Sequence, residues 1–221
     1  MDELPLLPRS FYEPSAREVA PGLLGHWLLR RTPSGWCGGL IVETEAYLRG
    51  DPACHAASGL TPRNRVMFGP PGHAYVYFIY GAHYCVNAVC RPGGIAEAVL
   101  IRALEPGTGL EFLRHHRTVS RIEHLTNGPA KLCEAMAIDR KLDGADLCAR
   151  STALVIARNR QRAAYLAQWG PLVTTARIGI TRAAELPLRF LLHRSPFISR
   201  AVARLPSVTG KTPHQPSAEE S

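Results

Sequence analysis

Lysine is nearly missing from this chain. Of 26 basic residues in 221, only Lys131, Lys141 and Lys211 are lysine. Arginine therefore carries the net charge of +8, and its planar fork suits phosphate contacts and stacking on flat rings. The same Lys-poor, Arg-rich usage also fits a GC-rich genome, so charge alone does not select a nucleic-acid partner. The six cysteines (Cys37, Cys54, Cys85, Cys90, Cys133, Cys148) form no Cys-x-x-Cys pair. That spacing excludes zinc ribbons and zinc fingers. No apolar run approaches the ~20 residues a bilayer-spanning helix needs. The acidic opening Met1-Asp2-Glu3 lacks the basic start of a secretory leader. The expectation is a cytosolic protein whose thiols stay reduced, most of them as small core residues. A Gly-x-Gly-x-x-Gly loop, a P-loop, a Gly-x-Ser-x-Gly elbow, a helix-turn-helix pattern and internal repeats are all missing, which removes the commonest nucleotide-binding and serine-hydrolase readings.

What is present is acid inside an apolar strand. Ile41 to Tyr47 is rich in β-branched and apolar residues yet holds Glu43 and Glu45. Burying an unpaired polar group costs about 2–7 kcal/mol, so a fold that tolerates these acids is expected to use them. Alternation puts Ile41, Glu43, Glu45 and Tyr47 on one face. A carboxylate then lies beside a π surface, a start for acid–base work on an aromatic ring. In the second such segment, Tyr75, Tyr77 and Ile79 share one face and Val76, Phe78 and Tyr80 the other. Tyr80 precedes Gly81 and is expected to project from a turn, so Tyr77 faces a pocket and Tyr80 stands at its rim. Alternation does not separate Glu43 from Glu45, and either acid also reads as a structural partner of an arginine.

The 46% hydrophobic fraction and the length fit one domain with a substantial core, expected over residues 1–205 with a polar, disordered tail over 206–221. Ser15 reads as the N-cap of a helix from Ala16 to Leu24. Strands are expected at 26–31, 37–47, 74–80, 83–90, 97–103, 154–157, 174–180 and 188–193. Helices are expected at 111–117 and 129–138, with Pro129 at a first helical position. The Gly/Pro-rich stretch 48–72 reads as a long functional loop. Strands in close succession with small helices between them give an α+β fold with a curved, mostly antiparallel sheet and peripheral helices.

Several blocks then line up in order: Ile41–Tyr47, Asp51–Ala56, Thr61–Phe68, Tyr75–Asn87, Leu100–Pro106 and Gly128–Cys133. Together they closely resemble the alkyladenine family of 3-methyladenine DNA glycosylases, from about Ser15 to Pro196. The resemblance implies a single domain like the carboxy-terminal domain of formyltransferases. It implies a monofunctional enzyme that flips alkylated or deaminated purines out of double-stranded DNA. The N-glycosidic bond is then hydrolysed with water, with no metal, no cofactor and no covalent lysine intermediate. On this resemblance Glu45 is the general base, Glu43 is structural, and Arg102 and the Ile178 carbonyl help hold the water. Tyr47, His55 and Tyr77 match the aromatic walls of the base pocket, and Asn87 matches the residue that crowds out guanine. Tyr80 matches the intercalating wedge, flanked by Met67 and Ala82. Arg63, Arg65 and Lys131 are expected to contact phosphates, although each alone also reads as solvated surface. His55 beside Cys54 also reads as a loop histidine or a metal ligand, but no second ligand pair has suitable spacing. A monomer is the default expectation, because DNA must reach the open face, and the expected location is cytoplasmic and nucleoid-associated in a bacterium, or nuclear in a eukaryote. Two other readings are a lesion-binding module without catalysis and, by fold analogy alone, an acyl- or formyl-transferring enzyme.

Overall fold

The computed structural model describes residues 3–202, so the tail expected at 206–221 lies outside the described residues. Eight strands build one sheet: β1 (Trp27–Thr32), β2 (Gly35–Tyr47), β3 (Ala74–Ile79), β4 (His83–Cys90), β5 (Glu97–Thr108), β6 (Leu154–Ala157), β7 (Leu172–Thr175) and β8 (Arg189–Leu192). Four α-helices accompany them: α1 (Ala16–Leu23), α2 (Leu110–His116), α3 (Pro129–Ala135) and α4 (Arg162–Gln168). The main path runs β3-β4-β5-β2-β1-β6, with β8 joined to β2 and to β7, and every pairing is antiparallel. This is the α+β fold with a curled antiparallel sheet that the sequence predicts.

The long strand β2 is the spine. Its first half pairs with β1 and Glu43 to Glu45 in its second half pair with β8, while β5 runs along its other edge. The backbones come unusually close where β2 passes between β1 and β5. A Cβ on Gly38 would lie 2.0 Å from the Leu28 carbonyl, and one on Gly39 would lie 2.1 Å from the Glu105 carbonyl. Only glycine fits there.

Alternation splits the sheet into two faces. Val99, Ile101 and Ala103 of β5, Val86 and Ala88 of β4, and Val76 of β3 enter the main core, to which α1 also contributes Ala16, Val19, Ala20 and Leu23. Ser15 and Glu18 close the start of α1, with Glu18 Oε2 accepting from the Ser15 N–H at 3.2 Å and its hydroxyl at 2.9 Å. The opposite faces of the same strands give a second cluster around Tyr75, Tyr77, Cys85, Val89 and Leu100. The candidate site sits on that second face.

Two expectations are corrected, and one helix is added to those the sequence predicts. The β2–β5 register slips between Ile41 and Glu43 and again between Glu43 and Thr44, so Ile41 joins the main core and does not share a face with Glu45. Residues 177–180 are not strand; β7 ends at Thr175. Helix α4 has no fully buried residue, and its half-buried Tyr165 and Leu166 pack against the core. The six cysteines are free, five of them buried.

Candidate active site

The register slips place the chemistry. Between Glu43↔Ala103 and Thr44↔Ile101 the pairing skips Arg102 on β5. A bulged residue can be re-aimed, and bulges cluster beside active sites. Here Arg102 reaches both acids of β2. Its Nε donates to Glu43 Oε1 at 2.8 Å, and its Nη1 lies 3.3 Å from Glu45 Oε2. Glu43, Glu45, Arg102 and the nearby Arg189 are all buried, and the two acids balance the two cations.

The acids differ in their surroundings. Glu43 Oε1 accepts from Arg189 Nε at 2.7 Å and the Ser199 hydroxyl at 2.7 Å, and its Oε2 accepts from the Ser199 N–H at 2.5 Å. Burial pushes the Glu43 carboxyl up, but Arg102, Arg189 and these hydrogen bonds outweigh it and hold it below the usual range. Glu45 shares only Arg102. Its Oε1 accepts from the Ile178 N–H at 2.7 Å and its Oε2 from the Tyr47 hydroxyl at 2.9 Å. For Glu45 burial wins over Arg102 and both hydrogen bonds, and the neighbouring Glu43 adds to it, so its carboxyl is raised. Two acids two residues apart are thereby driven in opposite directions, the pattern that separates a structural ion from a proton acceptor.

Glu45 is itself closed off, but its three partners, Tyr47, Arg102 and Ile178, all line one cavity of about 320 Å³. That volume is at the small end of the about 300–1,000 Å³ typical of ligand sites. His55, Tyr75, Tyr77 and Asn87 complete its inner wall, and Ile79, Tyr80, His83, Pro129 and Ala130 also line it. The His55 and Tyr77 rings meet edge-on with centroids 4.3 Å apart. The His55 Nδ1 lies 3.0 Å from the Tyr75 hydroxyl. Burial and the Arg63 charge lower the His55 pKa. Asn87 Nδ2 donates to the Tyr75 carbonyl at 3.0 Å.

The other sequence-predicted residues are placed as follows. Tyr80 is 82% exposed at the tip of the β3–β4 hairpin, with a left-handed φ of 54° followed by Gly81 at 67°. Met67 is buried beside Tyr75 and Tyr77 and lines the cavity from within, so it does not stand on the surface beside Tyr80. Ile178 presents its N–H to Glu45, whereas the expectation concerned its carbonyl. Arg63 donates to the Phe78 carbonyl at 2.9 Å and lies 5.7 Å from the Tyr77 ring centroid. Arg65 is exposed, and Lys131 Nζ donates to Asn127 Oδ1 at 2.8 Å.

Sequence reasoning missed Tyr75, although its two-residue spacing from Tyr77 was a usable signal. It also missed the buried pair Arg177–Asp51, in which Asp51 takes both terminal nitrogens of the guanidinium. Those residues are 126 positions apart, and no local pattern joins them.

The model of the methylpurine-DNA glycosylase family matches residues 10–196. The chain belongs to that family. Similar proteins come from Carboxydothermus hydrogenoformans (48% identity over 88% of this chain and 99% of that protein), Methanoculleus marisnigri (49%, covering 88% and 98%) and Agrobacterium fabrum (46%, covering 89% and 93%). Each bears the name "Putative 3-methyladenine DNA glycosylase". As a DNA glycosylase the chain acts on DNA, and among its described residues no helix is long and apolar enough to cross a membrane. The family match stops at Pro196, so Ser199, which holds Glu43 on this glycosylase, lies just beyond it.

Proposed function

We propose that this glycosylase flips an alkylated or deaminated purine, 3-methyladenine among them, out of duplex DNA into the aromatic cavity. It then hydrolyses the N-glycosidic bond with a water that Glu45 deprotonates. The observation that carries this reading is a buried carboxylate, Glu45, whose partners Tyr47, Arg102 and Ile178 all line one cavity together with His55, Tyr75 and Tyr77; burial also raises its pKa. A carboxylate there takes a proton from water and also stabilises the positive charge that grows on the sugar as the bond breaks. Arg102 orients the carboxylate. The Ile178 backbone fixes its other oxygen and borders the space for the water.

Tyr47, Tyr77 and His55 stack on the extrahelical base. Stacking contributes about 1–3 kcal/mol per base and accepts any purine face. Asn87, anchored to Tyr75, limits the space at the edge of the base. Tyr80 stands where a wedge would fill the gap in the duplex. Met67 supports the pocket from inside, and Arg63, Arg65 and Lys131 meet backbone phosphates. The protein works as a monomer with its open face to the duplex.

The test is base release from duplexes carrying one hypoxanthine or one ethenoadenine, comparing wild type with Glu45→Gln. Abasic sites from wild type only, with lesion binding retained by both, are expected. Binding by both proteins without release would instead establish a lesion-binding module. Equal release would move the base assignment to Glu43.

A further inference from the structure

Arg177 is a buried cation beside the site with no part in the reaction above. It does not line the cavity, whereas Tyr47 does, and its guanidinium carbon lies 4.7 Å from the Tyr47 ring centroid. The cation lies over one face of the Tyr47 ring and does not itself border the cavity. It is fixed there from several sides. Both terminal nitrogens bond Asp51, one also reaches the Ala46 carbonyl at 3.1 Å, and the other reaches the Ala183 carbonyl at 3.2 Å. Asp51 in turn accepts from the Ala53 N–H at 2.9 Å in the loop that carries His55.

A ring attracts a cation through the negative quadrupole of its face. A guanidinium on one face of Tyr47 draws that density, so the opposite face offers less to a second cation. Methylation at a ring nitrogen gives a purine a positive charge, while hypoxanthine and ethenoadenine are neutral. We propose that Arg177, held by Asp51 against one face of Tyr47, is a specificity-determining residue. It restrains the pocket's preference for positively charged bases over neutral ones. This rests on the base-pocket reading of Tyr47.

The arrangement predicts opposite effects from the two partners. Arg177→Gln removes the cation and leaves the Asp51 carboxylate, so selection should move toward the cationic base. Asp51→Asn leaves the guanidinium without its counter-charge, so selection should move toward the neutral base. The quantity to measure is the ratio of kcat/KM for 7-methylguanine to kcat/KM for hypoxanthine in otherwise identical duplexes. Both rates come from the same protein sample, so a loss of folded fraction cancels in the ratio. The expected shifts are roughly three- to tenfold, in opposite directions. Arg177→Lys, which keeps the charge, should stay closer to wild type than Arg177→Gln does. Shifts of the same sign in Arg177→Gln and Asp51→Asn, or unchanged ratios with both rates reduced, would overturn the proposal and leave the pair a purely structural clamp. Absence of any release by wild type would instead defeat the base-pocket reading itself.

Discussion

Glu43 and Glu45 lie two residues apart on one strand and respond to pH with opposite signs. Glu43 is held below the usual carboxylate range in the folded state. Its contribution to stability is present above the unfolded pKa of about 4.3 and is lost as pH falls through the lower folded value. Glu45 is raised, so its contribution is present below about 4.3 and is lost as pH rises through its folded pKa. Two outcomes follow. Glu43→Gln, which leaves Arg102 and Arg189 short of a buried counter-charge, should destabilise the protein at neutral pH by about 3–5 kcal/mol, read by denaturant unfolding. For Glu45→Gln, the melting temperature relative to wild type should climb as pH is raised from about 4 to 7, and a flat difference would refute the raised carboxyl. The acid limb of kcat/KM should likewise fall above the ordinary glutamate value of about 4.3. Tyr80 makes a separate point. A bulky residue at positive φ costs about 1–2 kcal/mol, and this ring is 82% exposed, so little burial offsets that strain. Tyr80→Asn, which tolerates the conformation, should raise the melting temperature by about 2–4 °C per kcal/mol relieved while lowering base release. Strain retained at the tip is what a wedge at a functional site would show.

Elements were legible where a short apolar run or a helix cap is a local signal. The strands at 83–90 and 154–157, apolar and buried on both faces along most of their length, and the start of α1 after the capping Ser15 fall where the sequence puts them. Two features were not legible. The slips around Glu43 come from how β5 lies against β2, and a strand does not carry its partner's register in its own residues. They moved Ile41 into the core and aimed Arg102 at both acids. Helix α4 rests its half-buried Tyr165 and Leu166 on the core, and Tyr165 and Trp169, the residue that follows the helix, donate to Glu105 Oε2 at 2.6 and 3.1 Å, contacts made across 60 and 64 positions of chain that no local pattern announces. At Gly38 and Gly39 the neighbouring strands press directly against the backbone of β2. Gly39→Ala should therefore unfold the protein at a markedly lower temperature, since the added Cβ would meet backbone at 2.1 Å. Gly93→Ala, whose Cβ finds only ordinary contacts from 3.7 Å outward, is the matched control and should stay within about 1 kcal/mol of wild type. Comparable melting of the two variants would mean this close approach relaxes freely.

At the scale of the molecule, the site is assembled from long-range pairs. Arg102 meets Glu43 from 59 residues away, and Arg189 meets it from 146. The residue types in the blocks were readable, but their pairings were not, because chain separation hides them. The balance of charge works the same way. Within the site cations and carboxylates pair with one another, so the net +8 comes from residues outside these pairs, and the DNA this family works on is a polyanion. Each phosphate neutralised releases condensed counterions, giving a slope of about −0.9 in log K against log salt per contact on duplex DNA. Arg65 is exposed, and Arg63 is exposed with one nitrogen bonded to the Phe78 carbonyl. Alanine at either position should lower affinity on any sequence and make the slope shallower by about one. Lys131 distinguishes two roles, because its ammonium also bonds Asn127. If it contacts phosphate, Lys131→Ala should change the slope as the arginine variants do. If it only braces the Asn127 turn, affinity should drop with the slope unchanged. Filter binding or fluorescence anisotropy from 50 to 200 mM salt, the range over which several contacts change affinity by orders of magnitude, would decide between them.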